Sequence, residues 1–252
     1  MSGYASLESQ LGSEVCQVTD TEEMYWLSRA DDYQSQVTLG SMRSAQYRFK
    51  DAMAAFRQAE KVRDDDPMLY LRLGGTLLTL RCVEEARKAY DRCAALGMDR
   101  KKLAFFNGFC DYLEKNYESA AFRFAQALPC DDAETVSIVY WHSLCDFKLG
   151  REPSMLSHIR ENMKVGHHIA YLSAVSVFTG KTTEEDALRA LDEERNDLNY
   201  VVLAYGLAVL LERQGKAMEA STLGKRLLEK RSVWPCTAYL AAWGERSVVN
   251  GL

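Results

Sequence analysis

The residues best suited to chemistry in this sequence are His142 and Cys145, which lie three positions apart. On a helix they share one face, and an imidazole beside a thiol is typical of a metal site or a thiol nucleophile. A zinc site needs three or four ligands, so Cys110 and His158 would have to approach in space to complete one. Two ligands alone do not make a site. The sequence therefore predicts no metal, no cofactor and no catalytic residue.

Other catalytic signatures are missing from the sequence. It contains no G-x-S-x-G, no G-x-x-x-x-G-K-[ST], no G-x-G-x-x-G and no H-E-x-x-H. The segment Leu73-Gly74-Gly75-Thr76 resembles a phosphate-binding loop only out of context. It falls inside a predicted helix, where glycine serves close packing. We therefore expect a protein that is not an enzyme, with a hydrolase built on Cys145 and His142 as the competing interpretation.

Composition predicts a globular cytoplasmic protein. The chain has 252 residues, 47% of them hydrophobic, and a net charge of −5, which excludes a disordered chain and argues against nucleic-acid binding. It shows no long apolar run and no signal-peptide pattern at its start, so we expect no membrane insertion. The seven cysteines are scattered, without a C-x-x-C pair, as in proteins of a reducing compartment.

Small and aromatic residues recur with a period of 34 residues. Four columns hold over three units: Gly40, Gly74 and Gly108; Ala52, Ala86 and Ala120; Phe56, Tyr90 and Phe124; and Ala59, Cys93 and Ala127. The last three columns have i, i+4, i+7 spacing, which forms one stripe of a helix. The glycine lies on a preceding helix and is predicted to receive the aromatic ring. Each unit is therefore predicted to be two helices joined by a tight turn.

A 34-residue pair of helices with these columns resembles the tetratricopeptide repeat family. Residues 67–100 carry the resemblance best, through Tyr70, Leu73-Gly74, Leu77, Ala86, Tyr90 and Cys93. Gln36 and Ala104 depart from it, because the family prefers a large aromatic residue there. The resemblance implies an all-α fold, a TPR-like right-handed α-solenoid of about six helical hairpins with terminal capping helices.

The resulting domain prediction is a single repeat domain over residues 21–252 after an N-terminal tail, 1–20. Caps are expected at 21–32 and 235–252, and repeats at about 33–66, 67–100, 101–135, 136–165, 166–200 and 201–234. Gly150, Gly180 and Gly215 mark the turns of the three weaker repeats. Met155 and Ile159 are predicted to fill the alanine and aromatic columns of the fourth repeat, and Ala220 the alanine column of the sixth.

The resemblance also implies a concave groove lined by the first helix of each repeat. Carried over by position, the predicted partner-binding residues are Leu71, Phe105, Phe109, Tyr112, Tyr140, Leu144, Phe147 and Tyr205. Phe105 and Phe109 stand where some members carry the Lys and Asn of a carboxylate clamp, so that clamp is absent. An apolar peptide or helix of a partner protein is the expected ligand. The competing interpretation is that these rings pack in the core.

We therefore expect a non-catalytic interaction scaffold or adaptor. Two alternatives stay open: a peptide-sensing regulatory domain acting through a separate output protein, and a homodimerisation module. Residues 1–20 include Tyr4, Leu7, Leu11 and Val15, which are spaced as on an amphipathic helix. Such a helix would lie in the groove or on a second subunit, whereas a frayed tail is the simpler expectation.

Overall fold

A computed structural model describes the backbone of residues 20–249 and the side chains of residues 21–246. The amphipathic segment expected within residues 1–20 lies outside that range. The helices are α1 (Asp20–Leu27), α2 (Tyr33–Ala45), α3 (Phe49–Val62), α4 (Pro67–Thr79), α5 (Val83–Ala95), α6 (Arg100–Leu113), α7 (Tyr117–Gln126), α8 (Asp132–Lys148), α9 (Ile169–Phe178), α10 (Glu184–Glu193), α11 (Asp197–Arg213), α12 (Ala217–Leu228) and α13 (Thr237–Val249). Within the described backbone the protein is all-helical, as predicted, and none of these helices is long and apolar enough to cross a membrane.

Consecutive helices pack as neighbouring pairs within two compact units, the first ending at Phe106 and the second beginning at Asn107. In the first unit α2 packs on α3 and α4 on α5, and α1 packs on α2. Glu23 fastens α1 through ion pairs of 2.9 Å to Arg43 and 2.7 Å to Arg48. In the second unit α7 packs on α8 and α11 on α12, and α13 lies against both helices of that last pair.

A ring pressed on a glycine fixes each of the first three hairpins, as the 34-residue period predicts. A Cβ atom built on Gly40 would lie 2.4 Å from Phe56 Cε1, one on Gly74 would lie 2.3 Å from Tyr90 Cε1, and one on Gly108 would lie 2.6 Å from Phe124 Cε1. These distances are shorter than any side chain tolerates. Glycine is therefore required at this column, because the ring occupies the space of its missing side chain.

The turn between the paired helices also repeats. Tyr47, Arg81 and Lys115 occupy the same repeat position and have φ angles of 61°, 62° and 65°. The next residue donates its backbone N–H to a carbonyl five residues earlier, with N···O distances of 2.8 Å for Arg48 to Arg43, 2.8 Å for Cys82 to Leu77 and 2.9 Å for Asn116 to Asp111. This is the left-handed C-terminal cap that closes many helices. Gly150 and Gly215 take the same position later in the chain, with φ angles of 72° and 80°.

The fourth repeat departs from the prediction, because its second half is not an α-helix. Residues 151–168 form an irregular segment with two short 3₁₀ turns, Leu156–His158 and Gly166–His168, where Met155 and Ile159 were expected on a helix. In the second hairpin, Gly74 lies seven positions before the turn residue and Tyr90 nine after it. At the same distances from Gly150, the fourth repeat has Ser143 in place of the glycine and Ile159 in place of the aromatic ring. Ser143 is buried and its hydroxyl donates to the Val139 carbonyl. The repeat therefore lacks both halves of the contact that fixes the first three hairpins.

Side chains on α8 hold the irregular segment instead. Asp146 Oδ2 accepts hydrogen bonds from the Ser154 backbone N at 2.9 Å and from its hydroxyl at 3.1 Å. Asp132 binds the Arg160 guanidinium at 2.7 Å and accepts from the Lys164 backbone N at 2.9 Å. Backbone groups that a helix would have satisfied internally are in this way bonded to carboxylates.

Two adjacent glycines provide a matched test of the ring contact. We expect Gly74→Ala to lower the free energy of unfolding by about 1–3 kcal/mol, because the new methyl overlaps the Tyr90 ring. Gly75→Ala meets no atom within 4 Å and should raise stability by up to about 1 kcal/mol through helix propensity alone. Urea unfolding followed by circular dichroism measures both. Equal effects of the two substitutions would contradict the role assigned to the ring.

Candidate functional site

Six of the eight predicted groove residues are enclosed in the second unit. Their side chains are 8% exposed or less, and they are Phe109, Tyr112, Tyr140, Leu144, Phe147 and Tyr205. A partner cannot reach a side chain at this level of burial without moving its neighbours. We therefore correct the expected position of these six residues: they lie in the core, as the competing interpretation of the aromatic stripe held.

Trp141 is the reason that these rings turn inward. Its fully buried indole lies at the centre of a cluster, with ring centroids 5.1 Å from Phe109, 5.0 Å from Tyr112, 5.3 Å from Tyr140 and 6.0 Å from Tyr205. Most of these pairs meet edge to face, the arrangement that the ring quadrupole favours. The positions inferred from the resemblance skip Trp141, although its size alone marks it as a core candidate.

The buried tyrosines satisfy their hydroxyl groups in a chain of hydrogen bonds. Tyr205 donates to Glu245 Oε1 at 2.9 Å, so the 2.8 Å contact between the Tyr112 and Tyr205 oxygens has Tyr112 as donor. Tyr140 donates to the Val202 carbonyl at 2.7 Å. Burial raises the pKa of all three well above 10, so each remains a neutral donor at physiological pH.

A charge network continues this chain toward solvent. Lys148 Nζ lies 2.7 Å from Glu212 Oε2 and 3.1 Å from Glu245 Oε1, so one ammonium serves two carboxylates. Burial alone would lower the pKa of Lys148, but Glu245 and Glu212 keep it above its ordinary value. The lysine is therefore a fixed positive charge that ties α8 to α11 and α13.

Beside this network lies an open cleft of about 290 Å³ bordered by α11, α12 and α13. Apolar side chains form its walls, notably Ala208, Val209 and Ala242, and charged groups from all three helices border it. Sequence reasoning singled out Tyr205, which lines this cleft, but missed the cleft itself. The sequence did contain a sign of a gap here. When the last hairpin is aligned by its turn at Gly215, Gly224 falls at the position where the first three hairpins have an aromatic residue.

The other two predicted groove residues, Leu71 and Phe105, remain partly exposed in the first unit. Leu71 lies on one face of α4 with Met68, which is 41% exposed, and with Gly75. A Cβ atom on Gly75 would meet nothing within 4 Å, so the backbone is open to approach at that point. Phe105 follows Leu71 by 34 residues and occupies the same repeat position on α6. The name α4–α6 face is used below for Met68, Leu71, Gly75 and Phe105, which are grouped by their exposure and by the repeat position that Leu71 and Phe105 share.

His142 and Cys145 do not form a reactive pair in the structure. Cys145 is fully buried, and burial raises the pKa of its thiol well above 9.0, so the nucleophilic thiolate is not populated near neutral pH. The His142 ring instead approaches Asp146, with Nδ1 3.2 Å from Oδ2. Within the described side chains, no group of three or more His, Cys, Asp or Glu residues is arranged to hold a metal ion.

Buried His142 makes the second unit sensitive to acid. Burial lowers the pKa of His142, His158 lowers it further, and Asp146 opposes both. The unfolded ring takes up a proton near pH 6.5, before the folded ring does, so unfolding is favoured as pH falls through that value. Relative to His142→Gln, the wild-type free energy of unfolding should fall between pH 7 and pH 5, by at most about 1.4 kcal/mol per pH unit. Parallel urea titrations measure this; superimposable pH profiles would show that the ring titrates normally when folded.

No protein-family model matches this chain, and no curated protein matches it. The resemblance to the tetratricopeptide repeat family therefore stays a proposal. Its support is the spacing and packing of the chain's own residues.

Proposed function

We propose that this chain is a non-catalytic protein-interaction scaffold built as a TPR-like right-handed α-solenoid with terminal caps. The 34-residue recurrence of a ring on a glycine supports this architecture, as does the pairing of consecutive helices. Repeats of this kind expose an extended face while the core holds the stack together. The scattered cysteines favour a cytoplasmic location for such a scaffold.

The α4–α6 face is the proposed docking surface, and the partial exposure of Leu71 and Phe105 is the observation that carries the proposal. Met68, Leu71 and Gly75 are spaced i, i+3, i+7, so they form one stripe along α4. An apolar peptide or helix of a partner would complete the burial of Leu71 and Phe105, each contributing less than the roughly 1.5–3 kcal/mol of a fully exposed side chain, and would approach the backbone closely at Gly75.

Gly75→Arg tests this surface without touching the core. The position is open, so we expect the variant to keep wild-type helicity and thermal stability while the long charged side chain blocks docking. Wild type, Gly75→Ala and Gly75→Arg would serve as baits in parallel capture from native lysate. A partner held by the first two and lost at least about tenfold on the third is the expected result.

The alanine variant is the matched control, because it adds a side chain to the same residue without bulk or charge. Retention of every captured protein by all three baits would place binding elsewhere on the chain. Homodimerisation is checked in the same set by light scattering. A doubled mass for wild type and Gly75→Ala that falls to monomer in Gly75→Arg would make a second copy the partner.

A further inference from the structure

The last hairpin lacks the ring that fixes the first three. Its turn has the same hydrogen bond, from Lys216 N to the Leu211 carbonyl at 2.9 Å, which sets its register against the earlier hairpins. In that register Ala208 stands at the glycine column and Gly224 at the aromatic column. The space that Phe56 or Tyr90 fills in the first unit has no ring of its own here. The cleft of about 290 Å³ lies at this point.

Arg246 of α13 enters part of that space. A Cβ atom on Gly224 would lie 3.0 Å from Arg246 Nη2, so any side chain at position 224 would meet the guanidinium. The guanidinium donates to the Ser221 carbonyl and has no carboxylate partner among residues 21–246. Burial lowers the pKa of Arg246, against the opposing effect of Glu245, as expected for a partly desolvated cation that is not paired.

The remaining charges around the cleft leave a net positive site. Glu212 and Glu245 both pair with Lys148. Lys225 lines the cleft and has no carboxylate partner within the part of the chain that the structure describes. The lining itself carries two cations, Lys225 and Arg246, and two carboxylates, and Lys148, which lies behind the lining, pairs with both carboxylates and brings the local count to three cations. The excess of one positive charge suits a monoanion, whereas Glu212 and Glu245 would repel a dianion such as a phosphate monoester.

We infer that this cleft binds a monocarboxylate carried on an aromatic body. The carboxylate would pair with the Arg246 guanidinium, whose planar fork matches it, with Lys225 nearby. The aromatic body would rest among Ala208, Val209 and Ala242, filling the gap that the missing ring leaves. A free aromatic acid and a polypeptide chain ending in an aromatic residue share this chemistry. The site lies in the second unit and is independent of the α4–α6 face.

Isothermal titration of the full chain at pH 7.5 tests the charge requirement. Three probes are compared with one another. Phenylacetate is the aromatic monocarboxylate, 2-phenylethanol has the same ring without the charge, and phenyl phosphate is a dianion. Phenylacetate should bind saturably, and the other two at least about tenfold more weakly, the factor that one charge-assisted hydrogen bond supplies. N-acetylphenylalanine represents a chain terminus. Saturable binding of phenylacetate or N-acetylphenylalanine supports the site, and the tighter of the two shows whether the ligand is a free aromatic acid or a chain terminus. Failure of both to bind overturns the inference.

Two variants test the location. Arg246→Gln should weaken phenylacetate binding at least about tenfold, whereas Arg195→Gln, the same change at an exposed arginine outside the cleft, should leave it unchanged. Gly224→Phe should displace the flexible Arg246 side chain, fill the cleft with a ring and abolish binding, with an equal or higher Tm. Wild-type affinity in either Arg246→Gln or folded Gly224→Phe would overturn the inference. Should Gly224→Phe fail to fold, Arg246→Gln decides alone.

Discussion

The contact between an aromatic ring and a glycine backbone is the constraint on which the first three hairpins depend. A ring that lies where a Cβ atom would be brings two helices closer than any pair of side chains permits, and it fixes their register at one point. The left-handed turn residue, seven positions after the glycine, fixes the direction of the chain. Together they define a unit that recurs where a glycine is followed by an aromatic residue sixteen positions later, as in Gly40 and Phe56 or Gly74 and Tyr90.

The fourth repeat shows what happens when both partners change. Ser143 brings a side chain to the glycine column and Ile159 offers a smaller, branched group in place of the ring. The turn still forms, because Gly150 takes the left-handed conformation and the Arg151 N–H reaches the Asp146 carbonyl at 2.8 Å. The following segment lacks the glycine–ring contact, although its Met155 and Val165 side chains are buried. Carboxylates on α8 bind two of its backbone N–H groups, so hydrogen bonds to side chains add to the packing of these two residues.

The last repeat loses the ring in a different way, and the result is a cavity instead of an irregular segment. Ala208 and Gly224 are both small, so the helices still pair, and α13 closes the end of the hairpin. Arg246 brings a charge where the first hairpins have a ring. The Gly224 cleft on the second unit therefore lies at a departure from the repeat, whereas the open Gly75 on the first unit lies in a column without a repeated residue type, with Ser41 and Phe109 at the equivalent positions.

The sequence by itself determined the helical class, the period and the glycine–aromatic contacts, because those depend on residues of fixed spacing within one hairpin. The columns Gly40–Phe56, Gly74–Tyr90 and Gly108–Phe124 could be paired before any coordinates were known. Leu71 and Phe105 were also placed on an accessible face, although spacing alone could not separate them from residues that became buried.

Only the tertiary structure decided which side of an aromatic helix faces solvent. Helix α8 has no distinct apolar stripe and is buried on every side between Thr135 and Phe147, so its periodicity could not say whether Tyr140, Leu144 and Phe147 line a groove or a core. Trp141 settled this by gathering rings from three other helices, a contact between residues up to 64 positions apart in the chain. The Gly224 cleft has the same origin. A missing ring becomes a site only when α13 closes over it and supplies Arg246, and such long-range contacts leave no local pattern in the sequence.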